Sequence, residues 1–112
     1  MIPNNVAIYI ALAPVDFRRG FDGLTEMARR LMQREVKEGG IFVFCNGRRD
    51  RLKVVWADAK GTNLYYRRVH RGTFLVPSVA EAGAMALELD RAKLAHLLAQ
   101  MKLPSEKATA SP

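Results

Sequence analysis

Apolar and polar residues alternate along this chain in two rhythms, one of period two and one of period 3.6. Val6-Ala7-Ile8-Tyr9-Ile10-Ala11-Leu12 is an unbroken apolar run rich in strand formers and closed by Pro14, the pattern of a buried β-strand. Val15 to Gly20 reads as a connecting turn. From Gly23 to Lys37 the spacing predicts a helix, because Leu24, Met27, Ala28, Leu31 and Met32 recur on one face. Asp22 is placed to cap the first free N–H groups, and Gly39-Gly40 to stop the helix. Its opposite face carries Arg29, Arg30 and Arg34 beside Glu26 and Glu35, the composition of a solvated face.

The period then changes to two, and a β-meander is expected over residues 41–70. Ile41-Phe42-Val43-Phe44-Cys45 is its first strand, followed by a turn that opens on Asn46-Gly47 and carries Arg48-Arg49-Asp50. Arg51 to Ala57 forms the second strand, with Leu52, Val54 and Trp56 on one face and Arg51, Lys53 and Val55 on the other. Asp58-Ala59-Lys60-Gly61 turns the chain. Asn63 to His70 forms the third strand, with Leu64, Tyr66, Arg68 and His70 alternating against Tyr65, Arg67, Val69 and Arg71. The expected sheet has one wet, basic face.

Pro77 and Ser78 end the sheet region. Ala84 to Leu89 reads as a short last strand with Met85, Leu87 and Leu89 inward. Asp90 is a fitting N-cap for a helix over Arg91 to Met101 with a stripe of Leu94, Leu97, Leu98 and Met101. Such a stripe serves core packing more often than a partner groove. Residues 1–103 are thus expected to form one α+β domain, a small antiparallel sheet (the meander plus the N-terminal strand) packed by two helices. Residues 104–112, PSEKATASP, have little to bury and read as a disordered tail.

Charge sharpens this picture through its position. The chain of 112 residues carries a net +7, and residues 48–71 alone hold eight basic groups against two acidic ones, a net +6. Concentrated positive charge suits a polyanion, either nucleic acid or an anionic membrane surface; the plainer alternative is a solubilising face. The longest clean apolar run, Val6 to Ala13, is far short of a membrane span, and no signal peptide is expected. The single cysteine, Cys45, excludes an intrachain disulfide and fits a reducing cytoplasm.

Candidate chemistry is sparse. One Cys and two His residues, His70 and His96, are too scattered for a zinc site, and no cofactor motif occurs. A Cys45–His70 pair across neighbouring strands is conceivable, although a strand-buried thiol is the commoner case. Two-metal phosphoryl transfer needs carboxylates around one pocket, but Asp22 suits a cap and Asp50 and Asp58 suit turns. What remains is a basic strand pair interleaved with Trp56, Tyr65 and Tyr66. Arginines and lysines neutralise phosphates, and aromatic rings stack on exposed bases. Alternation assigns Trp56 and Tyr66 to the core and leaves Tyr65, on the face of Arg67 and Arg71, as the stacking candidate. The residues expected to bind nucleic acid are Arg48, Arg49, Arg51, Lys53, Tyr65, Arg67, Arg68 and Arg71. Arg18 and Arg19 form a second patch, unless they pair with Asp16 or Asp22 in a structural turn.

The stretch Val15-Asp16-Phe17-Arg18-Arg19-Gly20-Phe21-Asp22-Gly23-Leu24 resembles the N-terminal signature of the TnpB-type, second-frame accessory proteins of the insertion-sequence-sixty-six family of bacterial mobile elements. The resemblance continues through Phe42-Val43-Phe44-x-Asn46, Asp50-Arg51-x-Lys53, Asp58-x-x-Gly61, Leu64-Tyr65-Tyr66-Arg67-Arg68 and Gly72-x-Phe74. Departures are Phe17 for the usual Met, Ala57 and Tyr65 for Trp, His70 for an acidic residue, and the absence of a Glu-Gly ending on the last helix. The resemblance implies a cytoplasmic bacterial protein, not itself an enzyme and without cofactor or metal, that supports a separate transposase. Its expected partners are element-end DNA, bound with low sequence specificity, and that transposase, with no membrane role; an adaptor that grips the transposase without touching DNA is the alternative.

Overall fold

The computed structural model of the chain describes residues 6–74 and 84–99. Strands β1 (Ile8–Ala11), β2 (Ile41–Cys45), β3 (Arg51–Asp58), β4 (Gly61–Arg68) and β5 (Ala86–Leu89) form one open sheet in the spatial order β4-β3-β2-β1-β5. Helix α1 (Phe21–Met32) joins β1 to β2, and α2 (Arg91–Ala99) follows β5. The α+β class and the β2-β3-β4 meander are as the sequence predicts. The N-terminal strand departs from the expected antiparallel sheet: it pairs in parallel with β2, Ile8 opposite Ile41, and antiparallel with β5, Ile8 opposite Leu89. Parallel pairing requires a long crossover connection, which α1 supplies.

β2 sits at the centre and is buried along its whole length. Its alternation divides the core in two. Ile41, Val43 and Cys45 join Ile8, Ile10, Leu52, Val54, Trp56, Leu89, Val69 and Phe74 on the face that receives Leu94 of α2. Phe42 and Phe44 join Val15, Val36 and Val55 on the face covered by Leu24 and Ala28 of α1. A fully apolar strand is what a sheet covered on both sides demands.

α1 starts and stops earlier than its apolar periodicity suggests. Gly20 occupies the cap position without a side-chain bond, and Asp22 lies inside the first turn, where it complements the helix dipole instead of capping. At the other end Gln33 turns left-handed (φ 56°) and its N–H bonds the Arg29 carbonyl at 3.1 Å. The Arg29 guanidinium clasps both Glu26 and Glu35 across this bend, so residues 33–38 leave the helix axis. Gly39 and Gly40, at φ +116° and +107°, then feed the chain into β2.

Asp90 does cap α2: its Oδ1 accepts from the Lys93 N–H at 2.8 Å. Leu94 is core, while the side chains of Leu97 and Leu98, together with Met101, the Pro77-Ser78 break and the 104–112 tail, lie outside the described residues. Met85 is half exposed, contrary to its expected inward placement; it precedes β5, and the inward positions fall on Leu87 and Leu89 opposite Ile10 and Ile8.

Asp58 closes the β3–β4 turn as expected, accepting at Oδ1 from the N–H groups of Lys60 (2.8 Å) and Gly61 (2.9 Å) and at Oδ2 from the Asn63 amide (2.9 Å). The Asn63 bond chiefly holds this carboxyl below its usual range, and the Asn46 amide does the same for Asp50. A carboxyl with a depressed folded-state pKa contributes stability that is complete above its unfolded value, about pH 4, and is lost as pH falls further. Urea denaturation should therefore show lower stability at about pH 3 than at about pH 5, and Asp58→Asn should flatten that decline; an equal decline in the variant would contradict this account.

Candidate nucleic-acid interface

The turn between β2 and β3 is built around Asn46. Its Oδ1 accepts from the backbone N–H groups of Asp50 (3.1 Å) and Arg51 (3.0 Å), and its Nδ2 donates to the Asp50 carboxylate at 2.7 Å. The turn spans five residues and not the two of a tight hairpin, with Arg49 left-handed at φ 59°. The chain leaving β4 folds back onto it: the Val69 N–H bonds the Asp50 carbonyl (2.9 Å), and the Phe74 N–H bonds the Arg49 carbonyl (2.7 Å). Val69 and Phe74 are buried in the core beneath, which fixes this return.

Positive charge is thereby gathered at one end of the sheet. Arg48 and Arg49 stand on the turn, Arg51 opens β3, Arg68 closes β4 directly opposite Arg51, and Arg71 lies on the returning segment. Arg48, Arg49, Arg68 and Arg71 are exposed. Arg51 is partly buried, and its Nε is enclosed without a hydrogen-bond partner. It lines a cleft of about 400 Å³ with Asn46, Gly47, Arg48 and Asp50. The one carboxylate in that cleft, Asp50, is engaged by Asn46.

Lys53 is not part of this open surface. It is only 8% exposed, and its ammonium donates to the carbonyls of Phe17 (3.1 Å) and Arg19 (2.9 Å). It also lies over the rings of Phe17 (4.9 Å) and Tyr66 (5.1 Å), two cation–π contacts. Burial lowers its pKa. The expected phosphate contact is thus a structural pin, because the turn preceding α1 folds over β3 and covers it. This also explains the turn's composition. The Val15 N–H bonds the Cys45 carbonyl at 2.9 Å, anchoring its start. Gly23 admits the Arg19 stem: a Cβ there would sit 2.8 Å from Arg19 Cβ.

Of the two alternatives for Arg18, the structure shows pairing: its guanidinium and N–H converge on Asp16, at 2.8 Å for the Nη2 contact, and hold that carboxyl at about 2. The Arg18 side chain nevertheless remains 92% exposed, so this surface pair contributes little stability and leaves a cation in solvent. Arg19 is half-buried and presents its carbonyl to Lys53.

Arg67 and Tyr65 fall on the opposite face from Arg51 and Arg68, paired with Leu52 and Val54. Tyr65 packs against the core, and its hydroxyl accepts from Arg67 Nη1 at 3.2 Å, so it is not the open ring that alternation suggests. Tyr66 reverses its expected core role: it is 49% exposed. The β3–β4 register explains this, since Trp56 pairs with Asn63 and Tyr66 with Lys53, placing the two rings on opposite faces. Only Trp56 reaches the core. The sequence held a signal for this, because Tyr66 alternates in step with Arg68, but the register between strands decides it.

Cys45 is buried, and burial pushes its thiol up to about 12. Asp50 and Asp58 flank opposite ends of β3, and among the described residues no three His, Cys, Asp or Glu side chains cluster as metal ligands. Among those residues no helix is long and apolar enough to cross a membrane.

Residues 6–108 match the family described as IS66 Orf2 like protein. The chain belongs to that family. It is 37% identical over 100 residues to the uncharacterized protein y4hO of Sinorhizobium fredii, covering 88% of this chain and 84% of that one. It is 35% identical over 78 residues to the uncharacterized protein y4jC of the same organism, covering 70% and 67%. No solved structure matches. Membership makes this an accessory protein of an IS66-type insertion sequence, and the Lys53 pin accounts physically for the turn its signature encodes.

Replacing Lys53 by Met keeps the apolar stem but leaves the Phe17 and Arg19 carbonyls without their donor. The cost should be about 1–3 kcal/mol of unfolding free energy. Urea denaturation checks this, and hydrogen exchange should show the loss centred on residues 15–21.

Proposed function

We propose that this accessory protein is non-catalytic and binds element DNA through the arginine cluster at the β2–β3 end of its sheet, in support of a separate transposase. One observation carries the reading: the fold returns the chain after β4 onto the Asn46 turn, so Arg48, Arg49, Arg51, Arg68 and Arg71 gather at one end of the sheet and outnumber the ionised Asp50, whose carboxylate the Asn46 amide holds. Arginine is the side chain best suited to phosphate, and these five lie on a scaffold held by backbone bonds. The adaptor reading has one observation in its favour, since Phe21, beside Gly20 in the signature turn, is 49% exposed. Leu94, by contrast, is spent on the core.

Purified protein should bind duplex DNA without strong sequence preference. Five phosphate contacts would give a log–log salt slope of about −4 to −5. Arg68→Ala should weaken binding more than Arg67→Ala, whose effect should be on stability through Tyr65. The measurement is a salt-titrated anisotropy assay with and without transposase. No binding at low salt, together with capture of the transposase, would favour the adaptor.

Incubated with magnesium or manganese and element-end DNA, the protein alone should yield neither nicked nor joined products. Activity that disappears in Asp50→Asn or Asp58→Asn would make this a catalytic subunit instead.

A further inference from the structure

Tyr66 is a large aromatic ring left half open on a charged face. It is 49% exposed, on an edge strand, and its position is set before any ligand arrives. Phe17 meets it edge-on at 6.1 Å, and the Lys53 ammonium lies over one of its faces at 5.1 Å. A core tyrosine would be covered, and a tyrosine exposed by chance would not be clamped from below by a buried lysine.

Its neighbours on the same face include cations as well as Leu64 and Val55. Arg68 follows two residues along β4, about 7 Å away in an extended strand, and Arg51 stands opposite Arg68. Arg51 Nε is enclosed and lacks an acceptor. Arg18, 92% exposed, projects from the turn that carries Phe17. A half-exposed tyrosine on the same sheet face as Arg68 and Arg51 is the pairing of aromatic ring and basic track that single strands require. Duplex DNA offers phosphates to the same arginines, but its base faces are covered by stacking on their neighbours.

We propose that Tyr66 stacks on an unpaired base while Arg51 and Arg68 hold the adjoining phosphates, so that this end of the sheet takes single-stranded DNA in preference to duplex. The proposal rests on the DNA-binding reading above and adds the form of DNA and the residue that selects it. Stacking tolerates any base, so sequence preference should be weak. Preorganisation of the ring lowers the ordering cost of binding.

The test is fluorescence anisotropy of the full chain with a labelled mixed-sequence single strand and with its duplex, at equal ionic strength. The variants are Tyr66→Ala, Tyr66→Leu and Tyr66→Phe, with thermal melts confirming that each is folded. Leu retains apolar cover over Phe17 and the Lys53 stem without an aromatic face, and Phe retains the ring. The Ala and Leu variants should each lose about five-fold or more in single-strand affinity, the Phe variant should stay near wild type, and duplex affinity should change less than about two-fold in all three. If wild type binds both forms equally, or if Tyr66→Leu binds the single strand as wild type does, the stacking role is overturned while the DNA-binding reading stands. If wild type binds neither form at low salt, that reading fails and this one with it.

Discussion

The burial of one ammonium organises this molecule. Lys53 lies in the middle of β3, opposite Tyr66, under the turn that precedes α1. A charge taken from water is costly unless hydrogen bonds and partial charges replace its hydration. Here two carbonyls of that turn and two aromatic rings supply the replacement. The arrangement works in both directions. The lysine is tolerated only because the turn covers it, and the turn is held in its path because its carbonyls and Phe17 converge on the lysine. The start of α1 and the seating of Leu24 and Ala28 on Phe42 and Phe44 follow from where that turn goes.

This constraint also separates two kinds of positive charge that look alike along the chain. Lys53 is consumed by the fold, and Arg29 by its clasp on Glu26 and Glu35. Arg18 pairs with Asp16 but remains in solvent. Arg48 and Arg49 of the Asn46 turn, Arg68 at the end of β4 and Arg71 beyond it stay exposed. The net +6 of residues 48–71 is therefore reduced by Lys53 as a source of surface charge, yet Arg48, Arg49, Arg51, Arg68 and Arg71 lie at one end of the sheet, with Lys60 at the other.

Much of the fold was legible because its signals are local. Period-two alternation assigned the faces of β3 correctly, with Leu52, Val54 and Trp56 together, and Asp58 and Asp90 behaved as turn and cap. The errors fall where distant segments decide. Nothing local says that β1 lies between β2 and β5 or runs parallel to β2. A lysine in an alternating strand looks solvent-facing until a turn some thirty-five residues earlier is known to cover it. The helix ends at Met32, short of the Lys37 that the sequence predicts: Met27, Leu31 and Met32 keep the rhythm up to the bend, while the left-handed Gln33 and the Arg29–Glu35 clasp carry no hydrophobic signal. Trp56 is in the core as expected, but the roles of Tyr65 and Tyr66 are exchanged for the same reason: alternation within β4 fixes which residues share a face, but the register with β3 fixes which face meets the core. Within the candidate site, the charges were therefore legible and the choice between Tyr65 and Tyr66 was not.

The placement of this charge also bears on the exposed sheet edge. β4 is an edge strand of eight residues, and an open edge invites pairing with another chain. Here the strand ends in Arg67 and Arg68 with Arg71 just beyond, and Lys60 stands at its other end, so a second copy approaching edge to edge meets like charge. Like charges directly opposite one another are destabilising in a strand pair. A polyanion approaching the same edge meets the opposite balance, since it releases counterions on contact. On the DNA-binding reading proposed above, the same arginines would separate two classes of partner by sign alone, opposing edge-to-edge pairing with a second copy and attracting a nucleic-acid backbone.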